Sequence, residues 1–276
     1  INSERCGPGT RVSGFTLTEG GGYVGGGIRV FDQTEIEIDH NIILNNQTTF
    51  EGAGVSVQLN STADIHDNRF LGNVSYKTAA ITVIQNATAK ITGNFFKNNL
   101  STDYAGVLGV HQSAVVFERN LVVENKSGSY AGTIDFVMAT GDLRHNTFLR
   151  NLAPTGGSCL REGGLSQLYL ENNLFAHNGG GAPAVSTTTC QMFSCNIFWD
   201  NDVDYEGPCD PIGAANNRHV NPLVCNPAAD GGAVSEFSPC LGGTCGLIGF
   251  NPTPGCADDV VALEQENWGS LKAMYR

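Results

Sequence analysis

The chain has 276 residues, of which 41% are apolar and only 15% charged, with a formal net charge of −12. Such acidity argues against a nucleic-acid partner, and no apolar run reaches the roughly eighteen residues a membrane span requires. Thirty-five Gly and ten Pro point to many turns and short strands.

The chain opens at Ile1 without an initiator Met or a signal peptide, as a processed or trimmed chain does. INSERCGPGT leads straight into GFTLTEG, where Phe15 begins a degenerate first unit. A hexapeptide then recurs: NIILNN at Asn41, NRFLGN at Asn68, NFFKNN at Asn94, NLVVEN at Asn120, NTFLRN at Asn146, NLFAHN at Asn173 and NIFWDN at Asn196. The intervals between first asparagines are 27, 26, 26, 26, 27 and 23, so eight units cover about residues 10 to 201.

Other columns keep the same period. Three places before each Asn stand Ile38, Ile65, Ile91, Phe117, Leu143, Leu170 and Phe193; two places after it stand Ile43, Phe70, Phe96, Val122, Phe148, Phe175 and Phe198. Between them apolar and polar residues alternate, as in IEID and AKIT, which is the pattern of half-buried strands. Like positions must stack for this periodicity to have a physical use, and that arrangement is an all-β parallel β-helix of about eight coils. The hexapeptide reads as one corner of the coil, where an Asn amide bonds backbone, tolerates left-handed dihedrals and ladders with the Asn above and below. At about 4.8 Å per coil the rod is on the order of 40 Å long.

After residue 201 the repeat stops. Nine cysteines are present, with Cys6 and Cys159 apart and Cys190, Cys195, Cys209, Cys225, Cys240, Cys245 and Cys256 crowded late. No C-x-x-C pair suggests zinc, so disulfides in an oxidising, extracellular compartment are the better reading, and an odd count leaves one thiol free or paired with another molecule. Beyond residue 257, ALEQENWGSLKAMYR is patterned for a short helix with Trp268, Leu271 and Tyr275 on one face.

The N-x-[FIV]-x-x-N motifs, the GFTLTEG unit and the coil starts GGGI and GAGV resemble right-handed parallel β-helix repeat proteins of the pectate-lyase-like superfamily, over about residues 10 to 201. The resemblance implies the right hand and a secreted bacterial type. HVNPLVCNP, EFSPC and CGLIGF resemble the irregular closing region of such proteins, implying a disulfide-stapled cap over residues 202 to 257. For activity it implies little, because one fold serves many functions.

Enzymes of this resemblance carry acids, bases or calcium on an outward strand face. The first such group is Glu37, Asp39, Asp64 and His66, suited to calcium or acid–base work. The competing expectation is a ladder of cross-strand charge pairs such as Glu118, Arg144 and Glu171. The second group is His111, Asp135, Arg161 and Glu162, with Asp135 in the place of Val57 and Val83. Six N-x-[ST] triplets, at Asn46, Asn60, Asn73, Asn86, Asn99 and Asn125, accept sugar only where their amides face solvent.

The reading favoured is an extracellular structural rod, adhesive or filament-forming. The first coil reads as uncapped: either truncation removed its cap or another copy covers it, head to tail, with Cys6, Trp268 and Tyr275 as candidate joint residues. It needs no cofactor or metal. The competing reading is a polysaccharide-active enzyme or carbohydrate-binding module, with calcium as its cofactor.

Overall fold

The computed structural model describes residues 9–129, 131–225, 233–250, 254 and 256. The first four repeats each lay down four short strands; later repeats keep three, the third strand shrinking to single bridges at Lys126, Leu152 and Gly179. In the first coil the strands are β1 (Thr10–Ser13), β2 (Thr16–Thr18), β3 (Gly21–Val24) and β4 (Ile28–Val30). The second coil repeats them as β5 (Glu35–Asp39), β6 (Ile42–Leu44), β7 (Gln47–Glu51) and β8 (Val55–Val57). Like strands pair in parallel, so four sheets run along the axis: sheet 1 (from β1) and sheet 4 (from β4) with eight strands, sheet 2 (from β2) with nine, sheet 3 (from β3) with four. This is the expected parallel β-helix. The register keeps the columns intact: Ile38 lies on Ile65, Ile91 and Phe117, and Ile43 on Phe70, Phe96 and Val122.

These columns point inward and fill the core, which is buried throughout. Phenylalanine rings stack along it, Phe70 on Phe96 at 4.8 Å and Phe148 on Phe175 and Phe175 on Phe198 at 5.0 Å. Where the column shrinks to Val122, Phe117 of sheet 1 fills the gap, 5.8 Å from Phe96 and 6.4 Å from Phe148. The converse compensation occurs at Gly141, where an added Cβ would lie 2.6 Å from the Phe136 ring. Large and small residues trade places because the interior packs like a crystal.

The hexapeptide is not one corner but two, with a strand between them. In NIILNN, Asn41 precedes β6 and Asn46 follows it. Both asparagines are rungs of buried ladders. Asn68 Oδ1 accepts from Asn41 N and Nδ2, both at 3.0 Å, while Asn68 Nδ2 donates to Ile38 O and Asn94 Oδ1. Asn73 does the same between Asn46, Ile43 O and Asn99. The left-handed dihedral falls on the residue before each rung, such as His40 (φ 54), Asn45 (φ 54) and Arg119 (φ 50), and not on the ladder Asn.

The late segment differs from a simple lid. Residues 202–219 close the last coil: Asn217 continues the first ladder beneath Asn196, Asn201 ends the second on Asp204, and Tyr205 and Ile212 pack on the core. The chain then turns along the outside of sheet 2. Val234, Cys240 and Ile248 are buried there against Leu121, Leu149, Leu174 and Ile197, and Gly249 N donates to Asn172 O. Three disulfides, Cys190–Cys209, Cys195–Cys245 and Cys225–Cys256, tie this region down. Cys240 corrects the expectation of a bridge: it is a free, buried thiol in the apolar side cluster, and burial pushes it up to about 11. Cys159 is also free and lies in the main core. Cys6, Trp268 and Tyr275 lie outside the described residues.

Replacing a central rung tests the ladder. Asn94→Ala removes the acceptor of Asn68 N and Nδ2 and the donor to Ile65 O. Orphaning several buried polar groups at about 1–3 kcal/mol each should cost roughly 3 kcal/mol or more, read as a fall in the denaturant midpoint. Asn60→Ala, on an exposed corner, should cost under about 1 kcal/mol.

Candidate functional site

On the outward face of sheet 1, parallel pairing sets Glu37 beside Asp64 and Asp39 beside His66. Carboxylate and imidazole atoms of Glu37, Asp39 and His66 lie within 4.8 Å of one another, close enough for a divalent cation. Arg11 of β1 occupies that position. Its Nε and Nη2 donate to Asp39 at 2.7 and 2.5 Å, and Nε stands 3.5 Å from Glu37. Ser13 and His40 also contact Asp39. Asp39, expected to be outward and open, is therefore on the outward face but fully covered. The Arg11 hydrogen bonds hold its carboxyl well below the usual range. His66 bridges Glu37 at 3.1 Å and Asp67 at 2.9 Å. Burial opposes charging this ring, but the two carboxylate hydrogen bonds prevail and raise it overall. Asp64 is the outlier of the group, facing Lys90 at 3.8 Å.

Further along the same face, Arg144 lies 2.6 Å from Asp142 and 3.8 Å from Glu171, and Arg119 2.6 Å from Glu118. Of the expected cross-strand pairs only Arg144 with Glu171 forms; Glu118, in register with Arg144, pairs instead with its chain neighbour Arg119, and the shortest contact of Arg144 is to Asp142 of its own strand.

The second group lies on sheet 4, one register place from where the sequence put it. Asp135 pairs with Gly109 and so continues the column Ser56, Thr82, Gly109; the column of Val57 and Val83 continues through Val110 to Phe136. Asp135 points outward, yet is fully buried. At Gly109 an added Cβ would be 2.4 Å from Thr78 Oγ1. Arg161 Nη1 donates to Asp135 at 3.0 Å, and His111 Nε2 stands 3.5 Å away. His111, Asp135 and Arg161 thus come together. Glu162 does not join them: it stands in the inward column, and its carboxylate accepts from the backbone of Ser166, Thr188 and Thr189.

Two groups escaped the sequence pattern. Glu51 is buried at the end of β7, and burial raises its carboxyl against the opposing pull of Lys77 and His111. Lys77 sits 4.3 Å above the Phe50 ring, itself stacked on exposed Tyr23 at 4.8 Å. The 27-residue spacing of Tyr23, Phe50, Lys77 and Tyr104 was a signal available in the sequence.

An open depression of about 510 Å³ runs along the corner between sheets 4 and 1 beside Asn86, Met138 and Leu165. It contains neither charged group.

Residues 7–96, about a third of the chain, match the family model described as "right handed beta helix region". No curated protein and no solved structure matches the chain. No helix among the described residues is long and apolar enough to cross a membrane.

The two shifted carboxylates predict opposite pH behaviour. Folded Glu51 binds its proton more tightly than the unfolded side chain, near 4.3, so its contribution is present below that value and lost as pH rises through the folded one. Glu51→Gln should raise the thermal midpoint at about pH 7 and leave it nearly unchanged at about pH 3. Folded Asp39 holds its proton less tightly than the unfolded side chain, so its contribution is present above about 3.9 and lost as pH falls. Asp39→Asn should lower the neutral-pH midpoint and flatten the acid limb of the melting curve.

Proposed function

We propose that the chain is an extracellular structural β-helix, a stiff surface rod that associates with a second copy at the edge of its first coil. The observation that carries this reading is that the candidate acidic cluster of sheet 1 is engaged within the rod, Arg11 on Asp39 above all. Three disulfides agree with an oxidising compartment. Among the described strands β1, β2, β3 and β4 each pair on one side only. The far end is closed by residues 202–219, where Asn217 and Asp204 end the ladders. A head-to-tail filament, the simplest outcome of an open coil, needs both ends free. The described ends favour first coil against first coil, an isologous joint that stops at two copies.

A polysaccharide-active reading is favoured by one observation, the meeting of half-exposed His111 with buried Asp135 and Arg161. In that reading Asp135 orients the imidazole, His111 moves the proton, and Arg161 holds an acidic sugar.

Sedimentation velocity over a range of concentrations separates the two. The structural reading expects a concentration-dependent dimer, elongated in negative stain, that Phe15→Lys abolishes by charging the exposed edge. A monomer at every concentration, together with polysaccharide cleavage lost in His111→Ala, would reverse the conclusion.

A further inference from the structure

The six N-x-[ST] triplets fall into two groups that differ in what a sugar would disturb. Asn46, Asn73, Asn99 and Asn125 are rungs of the second ladder and at most 1% exposed. Both N–H donors of each amide are in use; those of Asn73 go to Ile43 O and Asn99 Oδ1, each at 2.9 Å. Asn60 and Asn86 sit on successive coils at the corner between sheets 4 and 1. Both are exposed and both have φ 58, and among the described residues neither side-chain amide has a hydrogen-bond partner. Their backbone N–H groups donate to Gln85 O and Gln112 O, so the coil is held there without the side chain. The hydroxyl residues of these two triplets, Thr62 and Thr88, are exposed as well.

We propose that Asn60 and Asn86 are acceptor positions for an N-linked oligosaccharide, and that the four ladder asparagines must stay unmodified for the chain to fold. In the transfer, Asn Nδ2 attacks the anomeric carbon of an oligosaccharide carried on a lipid pyrophosphate. An N–C bond forms, the C–O bond to pyrophosphate breaks, the lipid pyrophosphate leaves with that electron pair, and the amide releases one proton. At Asn60 and Asn86 the lost N–H had no acceptor. At a ladder rung it had one, and the sugar would need space inside a close-packed corner. While the chain is unfolded all six triplets are accessible, so folding sorts the products: molecules modified at the corner close their coils, and those modified at a rung do not. The inference rests on these amides alone and not on what the rod binds.

The test is to secrete the full chain from a host that attaches N-linked oligosaccharide. Secreted, protease-resistant protein is separated from retained protein, and glycans are mapped by mass spectrometry after enzymatic removal, which converts each modified Asn to Asp. Secreted protein is expected to carry glycan at Asn60, Asn86 or both, with ladder glycans confined to the retained fraction. The combined variant Thr48→Val, Ser75→Ala, Ser101→Ala and Ser127→Ala removes the ladder triplets while keeping their asparagines, and should raise the secreted fraction several-fold. Thr48 and Ser75 have buried hydroxyls without a partner, so those two changes are mild. Secreted, resistant protein with glycan on a ladder Asn overturns the proposal, as does secreted protein bare at both Asn60 and Asn86. Failure of the combined variant to be secreted, although it folds in a host without glycosylation, overturns it as well.

Discussion

Everything in this rod depends on the hydrogen bonds of one side chain at two corners. At each of these two corners the N–H that follows the left-handed residue finds an amide oxygen of the next coil, as Asn41 N and Asn46 N do, and without it would be buried with no partner. The Asn amide has one strong acceptor and two donors, which is what the corner lacks. Its oxygen serves two N–H groups of the coil above, and its nitrogen serves a carbonyl above and the amide below. Asp has no donor, Ser is too short, and Gln would have to fold an extra methylene into a full core. The fixed spacing of the two asparagines within each hexapeptide follows from this geometry; the rest of the coil can shorten, as between Asn173 and Asn196, 23 residues apart and still bonded.

Sequence periodicity therefore revealed what the ladders enforce and missed what they do not. The strands, the inward columns and the first ladder were legible, since each repeats a residue type at a fixed interval. The second ladder was in view, as the closing Asn of each hexapeptide, but it was assigned to the same corner as the first. The error at Asp135 had a different origin. The strand containing it was aligned from Gly132 as the coil start equivalent to Gly54, and one place of slip moves every side chain to the other face. The free Cys240 could not be read at all, because pairing among late cysteines depends on how the chain lies along sheet 2.

That lateral path did leave a trace. In coils two to four the strands of sheet 2 read IIL, RFL and FFK, with at least one outward position exposed or half-exposed. From coil five they read LVV, TFL and LFA, buried at all three positions. A strand buried on both faces reads as an apolar run and needs cover on its outer side. The covering chain is the stretch around Val234, Cys240 and Ile248, anchored by Cys195–Cys245. The cover shields an apolar flank that the coils themselves do not close.

The same logic locates where this surface can diversify. Two corners are constrained by amides above and below, and their rungs do not vary. The third corner, between sheets 4 and 1, has the same left-handed backbone but carries Gln33, Asn60, Asn86, Gln112, Met138 and Leu165 in successive coils. No neighbouring amide requires any particular side chain there, so residue types change freely while the backbone hydrogen bonds Asn60 N to Gln85 O and Asn86 N to Gln112 O persist. Large apolar side chains are exposed at this corner, Leu165 at 81% and Met138 at 56%. A position that folding leaves unconstrained, and where apolar surface nevertheless faces water, is where contact with another molecule costs the rod least.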